Sequence, residues 1–235
     1  MYQLYNEDCL EGMNDLPDNS IDLIATDPPY CVGASSNGIK SSFADLNLMR
    51  PFFEQLFSQW ARVLKDGGHA YCCTDWRTYP FLYPILIKHL CMKNLIVWAH
   101  MRVGTGNWYR PCYEFIMFAT KGKSKREFHP GEYDVWQIKT KDVAHATINR
   151  LHQSQKPVAL MERMIQNSSH EGDTVLDPFA GSGTTAIACL NLKRNFIGYE
   201  IDEKYFAVAQ KRLTAYGGFF TGKNNDDNIF SHELG

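Results

Sequence analysis

A chain of 235 residues, 44% hydrophobic and 21% charged, is long enough to bury about 70–75% of its unfolded surface in one core, and its composition excludes a fibrous or disordered protein. The formal charge of −2 excludes capture of a polyanion by net charge, so any nucleic-acid role has to rest on local charge. No basic and apolar signal segment opens the chain, and the apolar run 81–90 is short and broken by Pro84 and Lys88; no membrane span is expected, and a cytoplasmic location is.

In chain order, residues 2–5 read as a strand and 10–16 as a short helix, with Asp8 between them as either a helix cap or a ligand-facing acid. Residues 21–26 form an apolar run expected to be a central strand. It ends in Asp27-Pro28-Pro29-Tyr30. Two prolines cannot continue a central strand, because each lacks an N–H and fixes φ, so the chain has to turn out of the sheet. That turn gathers a carboxylate, backbone carbonyls and an aromatic ring, a set able to accept hydrogen bonds from an exocyclic amino group and to stack on the flat ring that carries it. The Ser-, Gly- and Asn-rich stretch from 32 to 49 is expected to close over a bound ligand.

A helix is predicted over 52–63, where Phe53, Leu56, Phe57, Trp60 and Val63 recur at helical spacing before Asp66-Gly67-Gly68 stops it. Strand 70–73, helix 79–90, strand 94–100 and strand 113–119 follow. Between 121 and 150, Lys and Arg outnumber Asp and Glu seven to four. Lys121, Lys123, Lys125 and Arg126 open this segment as a solvated loop or a polyanion contact, and His129, Tyr133, Trp136, His145 and Asn149 either read base edges or pack the segment. The seven cysteines hold no C-x-x-C pair and read as reduced thiols; a zinc site or disulfide framework is not expected.

After a helix at 161–167, residues 174–186 read as a buried strand, a glycine turn and a helix start. Gly181, Gly183 and Ala186 keep the spacing in which glycines let a ligand approach the backbone at a helix N-terminus. Residues 195–199 form a second strand ending in Glu200, an acid placed to accept two ribose hydroxyls. Thr184 after Gly183 rules out a Walker phosphate loop, which needs Lys there. Only one more helix, 203–213, fits before a polar tail from 221 to 235. A two-stranded parallel sheet cannot stand alone, so its remaining strands have to come from the N-terminal half.

With these motifs in this order, the chain resembles the S-adenosylmethionine-dependent amino-methyltransferases of DNA. It is similar to their permuted β class, in which Asp-Pro-Pro-Tyr precedes the Phe-x-Gly-x-Gly turn. Residues 8–10, 113–122 and Gln155-Lys156-Pro157 also fit, and the likeness spans about residues 1 to 213. It implies an α/β fold, a doubly wound Rossmann-like sheet of roughly seven strands with one antiparallel strand near its edge. A single domain over 1–220 would comprise a catalytic half to 120, a target-recognition insert at 121–150 and a cofactor half.

The same resemblance assigns roles. Asp27 and the Pro28 carbonyl, followed by Pro29, would accept the hydrogens of the target amine, and Tyr30 would stack on the flipped base. Asp177, Pro178, Phe179, Gly181, Ser182, Gly183, Thr184 and Glu200 would hold S-adenosyl-L-methionine, with Asp8 at its adenine and Lys156 at its methionine carboxylate. The partner implied is double-stranded DNA, with a homodimer and a cognate restriction endonuclease as further expectations. The Asp that begins the motif points to adenine N6, with cytosine N4 as the alternative. An RNA or protein amide methyltransferase and a silent nucleotide-binding module complete the range. The role of Glu114, inside an apolar strand, is left open.

Overall fold

A computed structural model describes residues 1–29, 35–36, 39–40, 46–101, 108–124, 132–139 and 155–217. Tyr30, most of the 32–49 stretch, Lys125, Arg126, His129, His145, Asn149 and the tail lie outside them. The elements are β1 (Tyr2–Tyr5), α1 (Cys9–Asn14), β2 (Ile21–Thr26), the short pair β3 (Ser35–Ser36) and β4 (Ile39–Lys40), α2 (Leu46–Val63), β5 (Leu64–Thr74), α3 (Tyr79–Leu86), β6 (Cys91–Ala99), β7 (Tyr113–Thr120), β8 (Val135–Gln137), α4 (Val158–Ser168), β9 (Thr174–Asp177), α5 (Thr184–Asn191), β10 (Asn195–Tyr199) and α6 (Glu203–Ala215).

The main sheet runs β1-β10-β9-β2-β5-β7-β6-β8. The C-terminal strands β9 and β10 are thus inserted between β1 and β2, and head and tail of the chain share one sheet as expected. Tyr2 pairs with Phe196 and Leu23 with Val175, both in parallel. Only β7 runs against its neighbours β5 and β6. The sheet has eight strands where seven were expected. The additional one is β8, inside the segment read as an insert: Trp136 is 2% exposed, its indole N–H donates to the Tyr133 carbonyl at 2.8 Å, and the Arg163 guanidinium lies 4.8 Å over its ring. Trp136 therefore packs the core, the second of the two roles open to it. Three residues in a polar setting gave too short a pattern to read as a strand.

Other boundaries moved for physical reasons. Helix α2 starts at Leu46, ahead of the expected 52, and runs through Pro51, which removes one backbone hydrogen bond near the helix start. Strand β5 begins directly after α2, and the glycines read as a helix stop form a bulge: Ile21 faces Leu64, but Leu23 already faces His69. A Cβ on Gly68 would lie 2.8 Å from the Lys65 carbonyl, so only glycine fits that crossing. Helix α3 ends at Leu86, short of the expected 90.

Helices cover both faces. On one, Leu160, Met161, Met164 and Ile165 of α4, Ile187 of α5 and Phe206 and Leu213 of α6 pack on Leu23, Ala25, Tyr71 and Val175. On the other, Met13 of α1, Phe53, Phe57 and Trp60 of α2 and Leu82 and Ile85 of α3 pack on Ile24, Ala70, Cys72 and Leu176. Each large apolar side chain among these contributes about 1.5–3 kcal/mol by leaving water, and cover on both faces buries all six positions of β2, Asp22 and Thr26 included. Among the described residues no helix is long and apolar enough to cross a membrane.

Candidate active site

Strands β9 and β2 are neighbours whose connections leave in opposite directions, β9 through α5 to β10 and β2 through α2 to β5. Such a switch point opens a crevice at the carboxyl ends of the strands. The two landmark motifs meet there. The Thr26 hydroxyl donates to Asp177 Oδ1 at 2.6 Å, tying the residue before Asp27 to the last residue of β9. Thr185 donates to Asp177 Oδ2 at 2.5 Å and the Phe179 N–H to Oδ1 at 3.1 Å. Asp177 is 3% exposed, and burial pushes its carboxyl up to about 6 against the pull of these donors. It works as a clamp joining β2, β9 and α5, with both oxygens engaged inside the protein.

The glycine turn divides its labour. Gly181 (φ +53°) and Gly183 (φ +79°) both take the left-handed conformation. A Cβ on Gly183 would meet Ala209 at 3.2 Å and Leu213 at 3.4 Å, whereas one on Gly181 would find no atom nearer than the Phe179 carbonyl at 3.9 Å. Gly183 therefore allows α6 to pack on the turn, and Gly181 is the one beside open space. Ser182 and Thr184 are buried; Arg212 donates to the Ser182 carbonyl at 2.5 Å and hydroxyl at 2.8 Å, and to the Thr184 hydroxyl at 3.5 Å. These two are braced by α6.

Glu200 follows β10 and leans over the turn, accepting from Gly181 N–H at 2.8 Å and Asp202 N–H at 2.9 Å. A carboxylate has about four acceptor positions, so capacity remains for hydroxyls. Burial raises its pKa. Asp8 caps α1, accepting from Leu10 N–H at 2.7 Å through Oδ1, which is the cap reading. Phe179 is half-exposed beside Phe52.

On the β2 side Pro28 is buried and Pro29 and Asp27 are partly exposed. Lys156, expected at a methionine carboxylate, is engaged here by two carboxylates of the protein. Its ammonium lies 2.7 Å from Asp27 Oδ2 and 3.0 Å from Glu114 Oε2, with its side chain 7% exposed. Burial alone would lower its pKa, but the two carboxylates hold it above the ordinary lysine value. Glu114, whose role the sequence left open, is thereby part of the site; a lone acid in an apolar strand was the only signal for it. Cys72 and Cys73 are buried near Asp27, and burial raises both thiols, so neither offers a ready thiolate.

The described part of the basic run, Lys121 and Lys123, is placed elsewhere. Thr120 pairs with His69 and Phe115 with Thr74, so Lys121 and Lys123 follow β7 out at the amino ends of β2 and β5, about five residue rises or roughly 17 Å from the level of Asp27. The Lys121 ammonium donates to Asn19 Oδ1 at 2.7 Å and the Leu64 carbonyl at 2.8 Å. These contacts tie the loop after β7 to Asn19 and Leu64. At the site's own edge, exposed Trp76, Met101, Trp108 and Tyr109 follow β5 and β6 or precede β7, with Arg77 over the Trp76 ring at 5.0 Å. Sequence reading passed over these aromatics because they are scattered.

An open parallel sheet with a glycine turn and a ribose-height acid on one side of its switch point, and Asp-Pro-Pro on the other, defines a Rossmann-like group-transfer enzyme. Residues 21–211 match the family model described as DNA methylase, and the chain belongs to that family of DNA methyltransferases. It is 34% identical over 241 residues to the type II methyltransferase M.HpaI of Haemophilus parainfluenzae, covering 92% of this chain and 76% of that protein. It is 30% identical to the DNA adenine methyltransferase YhdJ of Escherichia coli K12, covering 88% and 80%. The crystal structure of an M1.HpyAVI–SAM complex superposes with a TM-score of 0.69 at 28% identity, covering 91% of this chain and all of that one.

Proposed function

We propose that this DNA methyltransferase moves a methyl group from S-adenosyl-L-methionine to the exocyclic N6 of an adenine flipped out of double-stranded DNA. The observation that carries the reading is the Thr26–Asp177 hydrogen bond, which sets Asp27 beside the glycine turn. The residues present fit the cofactor: Gly181 faces open space, Glu200 leans over it with acceptor capacity left, and Phe179 follows β9 at the start of the same turn. When bound, the cofactor supplies an electrophilic methyl carbon on a sulfonium. Glu200 would accept the ribose hydroxyls, and Phe179 would pack on the nucleoside.

An aromatic amine is a weak nucleophile because its lone pair is delocalised into the ring. Asp27 and the Pro28 carbonyl accept its two N–H groups and draw the nitrogen toward a tetrahedral geometry, with the lone pair freed toward the methyl carbon; the N–C bond forms as the S–C bond breaks, and one amine proton leaves the nitrogen for Asp27 or water. Tyr30 stacks on the base, a contribution of about 1–3 kcal/mol against an unstacking cost of a few kcal/mol. DNA docks on the carboxyl edge of the sheet, where Trp76, Arg77, Trp108, Tyr109 and Arg110 are exposed. Asp as the first residue of the motif and the likeness to YhdJ favour adenine over cytosine N4. A homodimer, a cognate endonuclease and a nucleoid location complete the proposal.

The test is transfer of tritiated methyl from S-adenosyl-L-methionine to duplex DNA, followed by nucleoside analysis. The label is expected in N6-methyladenine; label in N4-methylcytosine selects the alternative, and label in neither rejects amino methylation.

A further inference from the structure

We propose that Lys156, anchored from behind by Glu114, is a positioning residue for methyl transfer, holding the Asp27 carboxylate charged and rotationally fixed so that its remaining acceptor capacity meets the target amine. The inference deepens the proposed function and rests on it. Three distant parts of the chain converge here: Asp27 just past β2, Glu114 in the first turn of pairing of β7 opposite Trp98, and Lys156 just before α4. Pro157 caps α4 in an extended conformation (φ −63°, ψ 141°), and a residue before proline is itself kept extended. The lysine backbone is thus held at a fixed point above the ends of β2 and β5, and its stem is buried.

The charge count gives the reason for the arrangement. Asp27 and Glu114 each lie within 3.0 Å of one ammonium, so without it two carboxylates would share a small, partly desolvated space and one would take up a proton. A protonated Asp27 is a donor on one oxygen and a weaker, neutral acceptor on the other, so it would hold the amine hydrogen assigned to it less strongly. A bare carboxylate would also turn about its χ2 bond. The ammonium on Oδ2 removes both failures. Glu114 keeps the ammonium from following a ligand carboxylate or solvent, and leaves the cluster net negative, which favours a cationic donor nearby. Among the described residues, Cys72 and Cys73 of β5 and Asp177 of β9 also couple to Asp27; all three are buried, and none of the three supplies positive charge.

Lys156→Met, Lys156→Arg and Glu114→Gln separate this role from a merely structural ion pair. Lys156→Met is expected to keep a cooperative thermal transition and bind S-adenosyl-L-methionine within about threefold of wild type by calorimetry, yet to lose about 100-fold or more in kcat, the scale of one preorganised electrostatic contact. Its kcat should gain a rising limb toward alkaline pH as Asp27 ionises, absent from the wild-type profile. Lys156→Arg should recover about tenfold of the loss by restoring the charge. Glu114→Gln, which keeps shape and fold should Lys156→Met fail to fold, should lose about tenfold in kcat with cofactor affinity unchanged. Turnover of either charge-removing variant within threefold of wild type overturns the inference. So does a loss of cofactor affinity that matches the loss of rate, which would return Lys156 to the cofactor. If wild-type protein labels no exocyclic amine in the tritium experiment, the underlying reading fails by a separate observation.

Discussion

The two edges of the sheet carry similar side chains and use them differently. At the amino edge, Lys121 is spent on Asn19 and on carbonyls around residue 64, and buried His69 joins Ser168 and Ser124 at 2.7 and 2.8 Å; both tie separate elements of the fold together. At the carboxyl edge, charge is gathered in excess of what the fold needs. Lys156 takes two carboxylates, and Glu200 bridges two backbone N–H groups with acceptor capacity left over. A lysine's place along the strand direction, more than its neighbours in sequence, decides whether it holds the protein together or serves a ligand.

The sharpest way to break this contrast is Asp27→Ala. It should reduce turnover by about 1000-fold or more, the upper range for a lost transition-state contact, while cofactor affinity measured by calorimetry stays within a few fold. Glu200→Ala should do the reverse: about 10–100-fold weaker cofactor binding from loss of charge-assisted hydrogen bonds, with kcat at saturating cofactor little changed.

Two double variants sharpen the comparison of edges. Arg77→Ala with Arg110→Ala at the carboxyl edge should reduce the salt slope of DNA binding by up to about 2, as expected for two lost phosphate contacts, whereas Lys121→Ala with Lys123→Ala should leave that slope unchanged in the same filter-binding series. The smallest effect is on stability. Asp177 titrates at about 6 in the folded protein against an ordinary 3.8, so the folded state binds more protons across that window and the contribution of Asp177 to stability falls as pH rises through it. Asp177→Asn should flatten this fall in urea unfolding; an unchanged slope would mean that Asp177 is less buried than its geometry indicates.

Much of this was legible in the residues. The apolar run of β2 ending in two prolines, and the glycine spacing after β9, each specify local backbone geometry, and their order demanded a sheet built from both chain ends. What could not be read was which side chains meet across it. Lys156 before Pro157 carries no mark of facing Asp27, because that contact depends on α4 crossing over the ends of β2 and β5. Glu114 was equally silent. Gly183 and Gly181 look alike in sequence but differ in what lies beyond the missing Cβ, and that difference comes from α6. Antiparallel β7 carries Lys121 and Lys123 to the far edge, a reversal that charge composition does not encode.

The most direct test of the central claim, that Asp27 and the glycine turn form one site, is a crystal structure with duplex DNA and an unreactive amine analogue of S-adenosyl-L-methionine. The account predicts the analogue's ribose on Glu200, its nucleoside beside Gly181, and an everted adenine whose amino group donates to Asp27. An analogue bound at another edge of the sheet, or a base held away from Asp27, would contradict it.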